Sequence, residues 1–167
     1  KMGDVPSSRD TANADLMIKG SATPADLHIQ SRNRHFSSAA IERRRWLGGD
    51  PYATAFFNAL SITFPKGETF FMKVLTQYRD DVPEKSQREI RGFIQQEAVH
   101  SREHLFFNKQ LEQSDFDLSR LEQALTDVID DIGRMPLIGQ LVATTCLEHL
   151  TAIMAAEFIA NPIHFQD

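Results

Sequence analysis

A helical period in the apolar residues sets in near residue 51 and persists, whereas residues 1–50 carry few large apolar side chains and no sustained period. That opening region, rich in Ser, Arg, Asn and Asp, predicts an extension that is partly extended or disordered. Gly48-Gly49-Asp50-Pro51 punctuates the change with a flexible turn, a cap and a proline suited to a first helical turn. An apolar segment follows over Tyr52 to Leu60. Phe64-Pro65-Lys66-Gly67 interrupts it and predicts a kink or a fresh helix start. After Glu68, the residues Phe71, Met72 and Leu75 fall on one helical face, and Asp80-Asp81-Val82-Pro83 ends that helix. The next helix is predicted from about Glu84 to Gln113, with Ile90, Phe93, Phe107 and Leu111 on one stripe. Ser114 to Asp117 reads as a turn. Ser119-Arg120-Leu121-Glu122 has the form of a capping box, opening a helix through Val128, Ile129 and Ile132. Gly133 and Pro136 bracket a break, and a last helix is predicted over Pro136 to Ala160, stopped by Asn161-Pro162. With no strand run and no internal repeat, the pattern predicts an all-α helical bundle over residues 51–167, preceded by the 1–50 extension.

At 167 residues the chain fits one domain with a sizeable core. A net charge of −5 argues against a nucleic-acid partner, and Glu42-Arg43-Arg44-Arg45 reads as solvated surface. The single Cys146 excludes an intramolecular disulfide framework, and its small apolar setting predicts a buried, inert thiol. The first residues, KMGDVPSSRD, lack the apolar core of a signal peptide. Leu137 to Ala160 approaches a spanning length but carries Glu148, His149 and Glu157, which are expensive at mid-bilayer, so no stable membrane span is expected. A soluble, cytoplasmic protein is the expectation.

The charged stretch Gln95-Gln96-Glu97-Ala98-Val99-His100-Ser101-Arg102-Glu103-His104 decides the chemistry. At the helical period, Glu97, His100 and His104 fall within an arc of about 60°. It is the arc of Ile90, Phe93, Phe107 and Leu111, so the polar trio interrupts an apolar stripe. Glu103 points away, toward solvent. Glu68 lies on the stripe of Phe71, Met72 and Leu75, and Glu148 shares its face with Leu137, Leu141, Ala152, Ala155 and Ile159. Three carboxylates on three helices thus aim at the core, where an unpaired carboxylate costs several kcal/mol. A divalent ion would satisfy them together, and imidazole with carboxylate suits iron, manganese or zinc. Taken singly, each residue has a plainer reading. His104 fits a core histidine with a backbone partner, Glu68 an acid at a helix N-terminus, and Glu97 a salt bridge to an arginine. The coincidence of Glu, Glu-x-x-His and Glu on three core faces favours the metal.

Beyond these spacings, the chain resembles a known family. Trp46-Leu47-Gly48-Gly49-Asp50-Pro51, Phe56-Phe57-Asn58-Ala59-Leu60-Ser61, Phe64-Pro65-Lys66-Gly67-Glu68-Thr69-Phe70-Phe71, the Gln96 to His104 run and Leu147-Glu148-His149-Leu150-Thr151-Ala152 look like the bacterial predicted metal-dependent hydrolases. The resemblance runs from about Trp46 to the C-terminus. It implies a ferritin-like helical bundle with metal held by Glu68, Glu97, His100 and Glu148, to which His104 or a second chain would add. Such proteins continue into a helix with a second Glu-Glu-x-x-His element, so the chain is expected to be a fragment, incomplete at its C-terminus. The missing helix would leave an apolar groove of several hundred Å² and favour a homodimer.

The expected function is a metal-dependent hydrolase acting on a small-molecule substrate, with the ion activating water and a carboxylate taking its proton. The alternatives are a di-iron carboxylate oxidase or oxygenase, and a non-catalytic metal-binding or inactive fragment. No catalytic residue is assigned by the sequence.

Overall fold

Gly48 and Gly49 adopt φ of 52° and 74°, left-handed values that turn the chain sharply into the first helix. Asp50 then caps that helix, its Oδ1 accepting from the amides of Tyr52 at 2.8 Å and Ala53 at 3.1 Å, with Pro51 at the first position. The computed structural model describes residues 30–36, 45–112 and 117–161. It contains four α-helices: α1 (Pro51–Tyr78), α2 (Glu84–Glu112), α3 (Ser119–Gly133) and α4 (Leu137–Ala160). A single 3-10 turn, Arg79–Asp81, links α1 to α2. No strand occurs among the described residues, and the protein is an all-α helical bundle.

α1 is the hub. It packs along α2 in the most extensive interface and also meets α3 and α4, while α3 and α4 touch each other. The buried apolar residues follow this arrangement, with Ile62, Phe71 and Val74 on α1 and Leu111 on α2. Phe57 of α1 lies against Phe158 of α4, with ring centroids 5.1 Å apart. The two pieces of the N-terminal region that are described run over α1 and α2. Trp46 Nε1 donates to Asn58 Oδ1 at 2.8 Å, and the Trp46 ring meets Phe107 edge-on.

Of the two outcomes expected at Phe64-Pro65, a fresh helix start does not occur: α1 continues through a buried Pro65. Proline removes the amide that would bond the carbonyl of Ser61. Asn108 of α2 replaces it, donating from Nδ2 to Ser61 O at 3.1 Å. A tertiary bond thus repairs the ladder, and the sequence period could not reveal it.

Other local expectations also shift. Ser119 is the first residue of α3 rather than its cap, and Asp117 Oδ1 accepts from its amide and hydroxyl. Cys146 is exposed, not buried. Of the α4 stripe, Leu137 and Leu141 are half-buried, but Ala152, Ala155 and Ile159 face outward. Among the described residues α4 packs mainly against α1 and α3, which leaves Ile138, Val142, Leu150 and Ile153 exposed as well. By length and composition α4 is apolar enough to cross a membrane. Gln113, the turn at residues 114–116 and the Pro162 stop lie outside the described residues, as does the basic run at residues 42–44.

Candidate metal centre

Glu68 projects from α1, three residues past Pro65, and is almost completely buried. Glu97, on the neighbouring helix α2, is also buried. Between them stands His100, whose Nδ1 lies 2.7 Å from Glu68 Oε1 and 4.0 Å from Glu97 Oε2. Its side chain stays 49% exposed, so the imidazole joins a buried carboxylate pair to open space. His104, one turn further along α2, brings its Nε2 to 3.1 Å from the Nε2 of His100.

A hydrogen-bond chain fixes His104. Ser61 Oγ donates to Asn108 Oδ1 at 2.7 Å, which uses its only proton. The 2.8 Å contact between Ser61 Oγ and His104 Nδ1 therefore has the imidazole as donor. His104 is then the neutral Nδ1–H tautomer, with the lone pair of Nε2 directed at His100. Burial and the neighbouring charge of His100 push its pKa down to about 4, which keeps it neutral. His100 moves the other way. Pairing with Glu68, and then with Glu97, carries its pKa up to about 10 despite partial burial. The ring of Phe64 packs at a tilt against both imidazoles, with centroids 5.3 Å from His100 and 4.5 Å from His104.

The carboxylates are under-compensated. Burial raises the pKa of Glu68, and His100 offsets this only in part. Both Glu68 oxygens are buried, and neither accepts a hydrogen bond of normal geometry, the close contact being the 2.7 Å ion pair with His100. Glu148 approaches from α4 and is half-buried. Its desolvation, together with the charges of Glu97 and Glu68, raises its pKa to about 7. The ion pairs of Glu68 and Glu97 among the described residues are all with His100. An interior of this kind calls for a cation.

Glu68, His100 and His104 each offer one ligand atom, and these atoms all lie within 4.8 Å of one another. Of the five residues singled out from the sequence, those three converge; Glu97 and Glu148 flank them without joining that group. An orphaned buried carboxylate beside two imidazoles fits a divalent ion, so the donor chemistry agrees with the expected cofactor.

Glu103 departs from expectation. Its side chain is only 14% exposed and is tied to the N-terminal strap. Oε2 accepts from the amide of Phe36 at 3.0 Å, while Arg102, bonded to Glu103, reaches Asn33 Oδ1 and the carbonyl of Arg34. The Phe36 amide, followed by Arg102, holds the Glu103 carboxyl below the usual carboxylate range.

The pattern of apolar and charged positions does not by itself single out Ser61 or Asn108. The signal was present: Ser61 precedes Glu68 by two helical turns, and Asn108 follows His104 by one, so both lie on ligand-bearing faces. Neither curated proteins nor solved structures provide a match to the chain. The family model described as predicted metal-dependent hydrolase matches residues 30–167, beginning ahead of Trp46 and including the strap at 30–36. The chain belongs to that family of predicted metal-dependent hydrolases.

Proposed function

We propose that Glu68, His100 and His104 hold a divalent metal ion and that the bundle, ferritin-like in arrangement, hydrolyses a small-molecule substrate at this site. The observation that carries the reading is the buried carboxylate of Glu68, without a hydrogen bond of normal geometry, beside two imidazoles that each offer a ligand atom within 4.8 Å. A bound ion would supply Lewis-acid polarisation and an acidified water. His104 would offer Nε2, because Ser61 already engages its Nδ1. His100 must give up its extra proton to become a ligand. Glu97, buried 4.0 Å from His100, balances the charge and orients that ring.

Hydrolysis moves one proton from the attacking water to the leaving group. Glu148 is suited to carry it. It stands outside the three-residue group, is half-buried, and has its charged and neutral forms balanced near neutrality. With Glu148 serving the site, α4 belongs to the bundle rather than to a bilayer.

The test is ester hydrolysis by protein loaded in turn with zinc, manganese or iron, with Glu148→Gln compared with Glu68→Gln. Metal-dependent turnover is expected, lost in both variants, with metal retained only in Glu148→Gln. Two imidazoles and three carboxylates suit iron and oxygen chemistry too. Oxygen uptake by the iron-loaded protein without ester cleavage would replace the hydrolase reading with an oxidase.

A further inference from the structure

Next to His100 and His104 opens a cavity of about 340 Å³, walled by Phe36, Trp46, Phe57, Leu60, Phe64 and Phe107. The size falls at the small end of ligand pockets, roughly 300–1,000 Å³. Its polar groups are almost all committed. The indole N–H of Trp46 is bonded to Asn58, the Ser61 hydroxyl to Asn108 and His104, and the Glu103 carboxylate to Phe36 and Arg102. What remains is a wall of rings and aliphatic carbon with the two imidazoles at one end. Such a wall offers no partner for a sugar, a phosphate or a polypeptide backbone, each of which would enter at the cost of lost hydrogen bonds to water.

We infer that this cavity binds the apolar part of the substrate, an aryl or short alkyl group, and presents the adjoining polar, reacting group to His100 and His104. The inference rests on the metal reading only for the reacting group. The apolar wall stands independently of it. Phe36 belongs to the wall because Arg102 and Glu103 hold its strap across α2, which gives that pair a positioning role. The tilted contacts of the Phe64 ring with both imidazoles fix the boundary between the apolar and polar ends.

Three probes separate the parts. Acetohydroxamate carries a metal-chelating head alone, 3-phenylpropan-1-ol the apolar group alone, and 3-phenylpropanohydroxamate both. Their affinities for the zinc-loaded and metal-free protein are measured by calorimetry, with the fluorescence of Trp46, the single tryptophan, as a local reporter. The expected result is at least about tenfold tighter binding of 3-phenylpropanohydroxamate than of acetohydroxamate, an apolar increment of the size one buried ring supplies. A shift in Trp46 emission should accompany it. Leu60→Phe, which fills the cavity, and Phe36→Ala, on the exposed strap, should each reduce that advantage while leaving acetohydroxamate unaffected. Equal affinities of the two hydroxamates, or an advantage untouched by both substitutions, overturns the inference. Should acetohydroxamate fail to bind while 3-phenylpropan-1-ol binds and is weakened by Leu60→Phe, the cavity assignment holds and the metal reading falls.

Discussion

Asn108 Nδ2 donates to the carbonyl of Ser61, the carbonyl that Pro65 deprives of its helical partner. One side chain of α2 thus repairs α1 and, through its Oδ1, sets the hydroxyl of Ser61 that receives His104. Helix continuity and imidazole orientation are the same piece of chemistry. The proline therefore does more than interrupt a pattern, because it frees the group that docks the two helices.

Removing Asn108 should leave a buried carbonyl unsatisfied. Asn108→Ala is expected to destabilise the protein by about 1–3 kcal/mol in urea unfolding. In that background Pro65→Ala should restore part of the loss, because the new amide bonds Ser61 O within the helix. The double-mutant cycle should show a coupling of about 1 kcal/mol or more. Strict additivity would show that the two residues act independently.

Ser61→Ala removes the acceptor for His104 Nδ1–H without touching a proposed ligand. Nitrogen NMR of His104 should report the Nδ1–H tautomer in the wild type and a mixture in the variant. Zinc affinity should fall by about 10–100-fold, the usual effect of losing an outer partner of a metal-bound imidazole. An unchanged tautomer would remove Ser61 from the account.

Much of this architecture was legible in the chain. The helices, their polar interruptions on apolar stripes, and the Gly-Gly-Asp-Pro entry to α1 are local patterns, and local patterns survive folding. The pattern leaves open whether α1 kinks or restarts at Pro65, since the bond that replaces the lost one comes from a residue forty-three positions downstream of the proline. Nor was the strap: Glu103 reads as solvent-facing from helical phase alone, and its partners lie in a segment without any period. The outward face of α4 is not legible either, because an apolar stripe shows where burial is favourable, not whether a neighbour is present.

The strap predicts its own acid response. The bond from the Phe36 amide favours the charged form of Glu103, so its pKa is depressed. A depressed carboxyl contributes stability that is present above the unfolded pKa and lost as pH falls through the folded one. Hydrogen exchange should therefore find the Phe36 amide protected until the pH drops below the usual carboxylate range. Glu103→Ala should abolish that protection at neutral pH. Equal exchange in the two proteins would contradict the clamp.

Metal and protons should compete. In the absence of metal His100 is protonated up to about pH 10, and as a ligand it must be neutral. Zinc affinity should rise by about tenfold per pH unit between pH 6 and 8, with proton release on binding. The metal-free protein should show the opposite trend. A raised histidine pKa contributes stability that is complete below about 6.5 and declines as pH climbs toward 10. Chelator-treated protein should thus lose thermal stability from pH 7 to 9.5, while zinc-loaded protein should not. Parallel curves would argue that His100 is not at the metal.

The most direct measurement is metal content and affinity in protein purified without a histidine tag, by elemental analysis and competitive titration, for wild type, Glu68→Gln and Glu103→Gln. The account predicts metal in the wild type and in Glu103→Gln. In Glu68→Gln the affinity should drop by more than the roughly 10–100-fold expected for an outer partner. A wild type that takes up no metal, or equal losses in the two variants, would contradict it.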